Sequence, residues 1–226
     1  MYTNCNQSVC IFLFLCYNIF MINLESLTEK DCNKYLESGS LTEPFLDVEF
    51  VILKIQKDKE TYPDASIIES LMRWINYKVP FTQDIELKNK HKFKRTAKEI
   101  WEDGFCTGCT DRAMVFATLA RQLNIPTTLL HTAEMSWVQK CKNGEKPKIH
   151  SGHSFCECFF EGKWILVDPT FRKIGFDYDC NKIHLSYQVS NSNDFISYFR
   201  GLDLGKRQTM KEHNDEMDEI CKEINL

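Results

Sequence analysis

Between Thr110 and Leu123 the chain has almost no polar face. Ala113, Val115, Phe116, Ala117, Leu119, Ala120 and Leu123 cover nearly the whole circumference of a helix. Such a helix must be enclosed by other elements on every side, so the fold has to be built around it. Asn124 and Pro126 supply its C-terminal stop. At the other end Gly108 allows a sharp entry, and Cys109 lies at or next to the N-cap. Unpaired N–H groups there carry about half a positive charge, which favours thiolate over thiol. The same groups are placed to hold a developing oxyanion. Asp111 suits the first turn by the same dipole argument.

A hairpin follows. His153 to Phe160 and Lys163 to Asp168 are both rich in strand formers, they meet at Glu161-Gly162, and Pro169 stops the second. A two-residue turn pairs Phe160 with Lys163, and the same register sets Phe155 opposite Asp168. His153 then shares a face with Asp168 as its diagonal neighbour, roughly 7 Å away between backbones. A slip of one residue would put them on opposite faces. A thiol at a helix start, an imidazole and a carboxylate are the parts of an acyl-transfer triad.

These residues carry a resemblance. Gly108-Cys109-Thr110-Asp111-Arg112-Ala113, Leu119 to Pro126, Gly152-His153-Ser154-Phe155 and Trp164 to Thr170 resemble the transglutaminase-like cysteine hydrolase superfamily. The match is clearest over residues 96–170, with weaker similarity at Trp74-Ile75-Asn76-Tyr77. Asn124 stands where that family usually has glycine, and Phe155 where tryptophan is commoner. The resemblance implies an α+β, papain-like core with the Cys helix packed on an antiparallel sheet bearing His and Asp. It implies Cys109 as nucleophile, His153 as general base and then acid, and Asp168 as the group orienting the imidazole. It implies attack on an amide of a peptide or protein through a thioester. Hydrolysis is the expected outcome, since the sequence has no sign of the calcium sites of large crosslinking relatives. Transfer to a second amine and a peptide-binding module without turnover are the alternatives.

Other readings of the same residues stay open at this level. Cysteine on an apolar helix is most often core. Cys106 is either a loop cysteine or a resolving thiol, and His150 is a rival to His153. Cys106-x-x-Cys109 with Cys156, Cys158, His150 and His153 makes a formal zinc set. However, Cys-x-Cys in a strand points both thiols away from His153, so no metal or other cofactor is expected. Trp137, in a polar stretch read as a loop from Glu134 to Ile149, is a candidate substrate contact or a packing residue.

Composition adds limits. With 43% hydrophobic and 27% charged residues the 226-residue chain is an ordinary globular one, and a net charge of −4 gives no reason to expect nucleic acid. Residues 23–226 read as one domain. Residues 1–22 contain an apolar run, Val9 to Ile22, short for a membrane span and lacking the basic residues of a signal peptide. It is a signal-like leader, an anchor or a mis-assigned start. Eleven cysteines in no regular framework lean towards a reducing, cytoplasmic setting, with secretion or membrane anchoring as the alternative. Elsewhere, helices are expected over Phe45–Lys57, from a cap at Asp64 or Ser66 to Asn76, over Ala97–Glu102 between Thr96 and Gly104, and over Lys206–Ile224. A strand is expected at Leu129–Thr132 and a loop after Pro80.

Overall fold

A computed structural model describes residue 24 and residues 27–145, 150–189 and 192–224; the apolar run at 9–22 lies outside these. Two short 3-10 turns, Glu29–Asp31 and Lys34–Leu36, lead into helix α1, Val48–Thr61. The α1 start lies beyond the expected Phe45 because the Asp47 side chain accepts from Glu49 N and Phe50 N and fixes the cap there. Helix α2, Ile67–Lys78, opens on a reciprocal capping box of Ser66 and Glu69, which selects Ser66 over Asp64. The loop expected after Pro80 contains helix α3, Ile85–His91, capped by Asp84. Helix α4, Ala97–Asp103, lies between a Thr96–Glu99 capping box and Gly104, whose φ of 75° closes it in the left-handed region.

Helix α5, Cys109–Gln122, is the buried centre that its sequence demands. Every residue from Thr110 to Arg121 is buried, including Asp111, Arg112 and Arg121. The chain leaves it through Asn124 at φ 61°, the left-handed stop. Gly108 caps the other end in an extended conformation open to any residue, and an added Cβ would make only ordinary contact. The sharp entry therefore does not depend on glycine.

Six strands follow: β1 Thr127–Glu134, β2 Gly152–Phe160, β3 Lys163–Asp168, β4 Lys173–Gly175, β5 His184–Val189 and β6 Ser192–Gly201. They form one antiparallel sheet in the order β4-β3-β2-β1-β6-β5. Glu161 and Gly162 both have positive φ, 51° and 80°, the requirement of a tight two-residue hairpin turn. Phe160 pairs with Lys163 and Cys156 with Val167, so the hairpin has the expected register. At the other side of β1 the pairing steps from His131–Phe199 to Thr132–Ser197, leaving Tyr198 as the extra residue of a β-bulge. Gly152 fits only because it lacks a side chain; a Cβ there would collide with the Thr132 carbonyl on β1.

Both sheet faces are covered. Leu129, Cys156, Cys158, Ile165 and Val167 pack with α5 and the helices around it. Their alternates Leu130, Phe155 and Leu166 join Leu185 and Phe195 in a second cluster. Burial on both sides is why these strands read as continuous apolar runs. A third cluster joins β1 and β6 to helices α6, Met135–Lys142, and α7, Met210–Glu223. The stretch read as a polar loop from Glu134 to Ile149 thus contains a helix, because Trp137 and Val138 find an apolar surface that local sequence does not reveal. None of the described helices is long and apolar enough to cross a membrane.

Leu119 is fully buried in α5. Leu119→Ala should cost about 2–5 kcal/mol, seen as a lower urea midpoint at unchanged slope. An unchanged midpoint would mean that α5 is not the packed centre.

Candidate active site

Three elements converge at the N-terminus of α5. Cys109, its first residue, is half-buried at a cleft of about 110 Å³ that His131, His153, Ser154, Tyr198, His213 and Met217 help to line. His153, second residue of β2, is 7% exposed, and its ring meets the Phe155 ring at 4.6 Å. Asp168, last residue of β3, is fully buried. Its Oδ1 accepts from Thr170 N at 2.9 Å and Phe171 N at 3.1 Å, and lies 3.1 Å from His153 Nε2. At that distance the carboxylate stabilises positive charge on the ring.

The sulfur faces the same imidazole. Burial alone would raise the Cys109 thiol, but the facing His153 outweighs it, and main-chain and side-chain hydrogen bonding from Ser154 adds to the effect, bringing it down to about 7. Burial likewise disfavours a charged His153, yet Cys109 and Asp168 push it up to about 10. Each group thus favours the charged form of the other: His153 draws the Cys109 thiol down, and Cys109 with Asp168 pushes the imidazole up. Cys106 shows the contrast: fully buried, donating to Val79 O at 3.2 Å and without an imidazole, it is pushed up to about 11.

Buried charges fix the scaffold on both sides of Cys109. Asp111 Oδ2 accepts from Thr107 N and Thr107 Oγ1, both at 2.8 Å, and from the Arg95 guanidinium at 2.6 Å. These bonds fold the entry loop against α5. Arg112 donates to Asn76 Oδ1 at 2.7 Å, Val79 O at 3.0 Å and Thr170 O at 3.4 Å. Asn76 in turn donates to Pro169 O at 2.8 Å. The loop after Asp168 is thereby tied to the Cys109 helix, and Asn76 belongs to the outlying Trp74–Tyr77 block.

The other candidates lie apart from this convergence. His150 faces Asp218 at 3.1 Å on the cleft rim. Trp137 is only 3% exposed and packs in the α6–α7 cluster. Cys156 and Cys158 point into the main core. Among the described residues no group of His, Cys, Asp and Glu has the arrangement of a metal site. Sequence reasoning missed Ser154, His131 and Tyr198. Their proximity depends on the β1–β2 pairing and on the β6 bulge, and neither leaves a local signature.

A family model of the transglutaminase-like superfamily matches residues 53–169, just over half of the chain. The chain belongs to this superfamily. The match begins well before the blocks at 96–170 and takes in most of α1 and all of α2. Comparison with curated proteins gave no match. Among solved structures, a proposed cysteine protease from Cytophaga hutchinsonii is similar at 14% identity and a TM-score of 0.45, over 80% of this chain and 51% of that one. A TGase is similar at 14% identity and a TM-score of 0.34, over 81% of this chain and 41% of that one. The chain thus spans about half the length of the first and less of the second.

Alkylation by limiting iodoacetamide, mapped by mass spectrometry across pH, should give Cys109 a midpoint near 7, well below that of Cys106. In His153→Ala the midpoint should rise above the ordinary thiol value, because burial persists and the cation is gone. A Cys109 profile indifferent to His153 would dismiss the ion pair.

Proposed function

We propose that this protein is a cysteine-nucleophile enzyme acting on amides of peptides or proteins, most simply as a hydrolase. The observation that carries the reading is the position of His153, with one ring nitrogen facing Asp168 and the ring facing the Cys109 sulfur. Membership of the superfamily supports it.

In this reading the Cys109 thiolate attacks the amide carbonyl carbon and the C–O π electrons move onto oxygen. Main-chain N–H groups in the first turn of α5 face that oxyanion. Collapse of the tetrahedral species breaks the C–N bond. The imidazolium of His153 gives its proton to the departing nitrogen, which leaves as amine or ammonia, and the acyl group remains on sulfur as a thioester. Neutral His153 then takes a proton from water as its oxygen attacks. The second collapse returns the thiolate and releases the acid. Asp168 keeps the ring oriented and stabilises its positive form. A primary amine taking the place of water would make the same site a transamidase. The choice rests on which nucleophile reaches the thioester.

Peptides containing glutamine and asparagine, incubated with and without a primary diamine, distinguish these outcomes by mass spectrometry. Backbone cleavage or deamidation means water is the acceptor; a diamine adduct means amine. Cys109→Ala should abolish every product. Asp168→Asn should lower the rate by about two to four orders of magnitude while leaving the fold intact. Peptide binding with no Cys109-dependent product would replace the enzyme reading with a binding module.

A further inference from the structure

Ser154, next to His153 on β2, sits in a small polar cluster at the sulfur. Its Oγ lies 2.8 Å from Thr110 Oγ1 and 3.0 Å from His131 Nδ1, all three residues being buried. Thr110 is the neighbour of Cys109 on α5, and His131 is the cross-strand partner of Ser154 on β1. Ser154 and Cys109 line the same cleft, and hydrogen bonding from Ser154 is among the effects that draw the Cys109 thiol down. His131 Nε2 is buried without a hydrogen-bond partner.

The Thr110 contact fits either donor, but were Ser154 to donate to Thr110, the Thr110 proton would have no acceptor of its own among the described residues. A serine hydroxyl has one proton and two lone pairs, and a thiolate can only accept. If Ser154 gave its proton to His131 Nδ1, the thiolate would face an oxygen lone pair. Nε2 would then carry a buried N–H with no acceptor, a costly state. If instead Ser154 donates to sulfur, its two lone pairs accept from Thr110 Oγ1 and from His131 Nδ1–H. Nε2 is then a bare nitrogen with no proton to place. Burial, with His213 and His153 nearby, holds His131 down to about 3, so its ring stays neutral throughout the working range. A neutral ring has one N–H to give, and this arrangement uses it.

We propose that Ser154 is a further catalytic residue, its hydroxyl donating a hydrogen bond to the Cys109 thiolate, with His131 and Thr110 as positioning residues that turn that proton toward the sulfur. The proposal rests on the reading of Cys109 as nucleophile. The donor stabilises the thiolate without supplying charge, and the two flanking groups prevent the hydroxyl from rotating away. Other titratable groups lining this cleft are Lys92, Asp111 on α5, His150, His153 on β2, Tyr198 on β6 and His213 on α7.

The test is the pH profile of Cys109 alkylation in the full chain, for wild type, Ser154→Ala, His131→Asn, His131→Leu and His153→Ala, together with 15N NMR of the wild-type histidines. Ser154→Ala should move the midpoint up by about one pH unit, about tenfold less thiolate at a given pH below it. His131→Asn keeps a donor where Nδ1 stands and should stay near wild type, whereas His131→Leu should shift upward. The His131 spectrum should show the neutral ring protonated at Nδ1 from pH 5 to 9. A Ser154→Ala midpoint equal to wild type, or a His131 proton on Nε2, would overturn the inference even where His131→Leu fails to fold. If wild-type Cys109 is unreactive and His153→Ala changes nothing, the nucleophile reading itself fails, a result separable from the first.

Discussion

Asp111, Arg112 and Arg121 are charges carried into the interior on a helix with no exposed face between Thr110 and Arg121. Removing a charge from water costs several kcal/mol unless hydrogen bonds replace the solvent. Each of the three finds those bonds in a different part of the chain. Asp111 gathers Arg95 and Thr107 from the entry loop. Arg112 reaches the end of α2 and the loop after Asp168. Arg121 donates to Thr127 O at 2.8 Å, Thr42 Oγ1 at 3.0 Å and Leu202 O at 2.8 Å, joining the chain before α1, the start of β1 and the end of β6. Apolar burial puts α5 at the centre, and the need to satisfy its charges determines what surrounds it.

The same opposition between burial and pairing acts at the site. Desolvation works against both members of a thiolate–imidazolium pair, and it is also what makes their mutual attraction strong. The outcome at Cys109 follows from geometry: one cation and the hydrogen bonding of Ser154 converge on a single sulfur. Cys106 and Cys158 are fully buried; Arg112 beside the first, and Thr127 and Arg121 beside the second, offset burial too little, and the two thiols are pushed up to about 11 and about 12. The facing imidazole is what sets Cys109 apart from them.

Much of this architecture is legible in local sequence. The capping boxes at Ser66 and Thr96, the left-handed stops at Gly104 and Asn124, and the Glu161-Gly162 turn all act over three or four residues. Their elements lie at or near the expected places. The hairpin register follows from the turn, and with it the relation of His153 to Asp168. Three kinds of feature were not legible. Helix α6 exists because Trp137 and Val138 meet α7, which comes from the far end of the described chain. Strand β6 owes its place to pairing with β1, which is distant in sequence, and β5 reaches the sheet through β6. The grouping of Thr110, His131 and Ser154 depends on β1 lying beside β2 across the intervening α6.

The β2–β3 hairpin also acts as a ruler. His153 and Asp168 are measured from one turn, and along a strand each added residue reverses the direction of a side chain. A single-residue insertion between Phe155 and Asp168 would turn one of the pair to the other face while leaving every strand-forming residue present. The hairpin can therefore exchange residues along either face, but any change in their number would separate the pair.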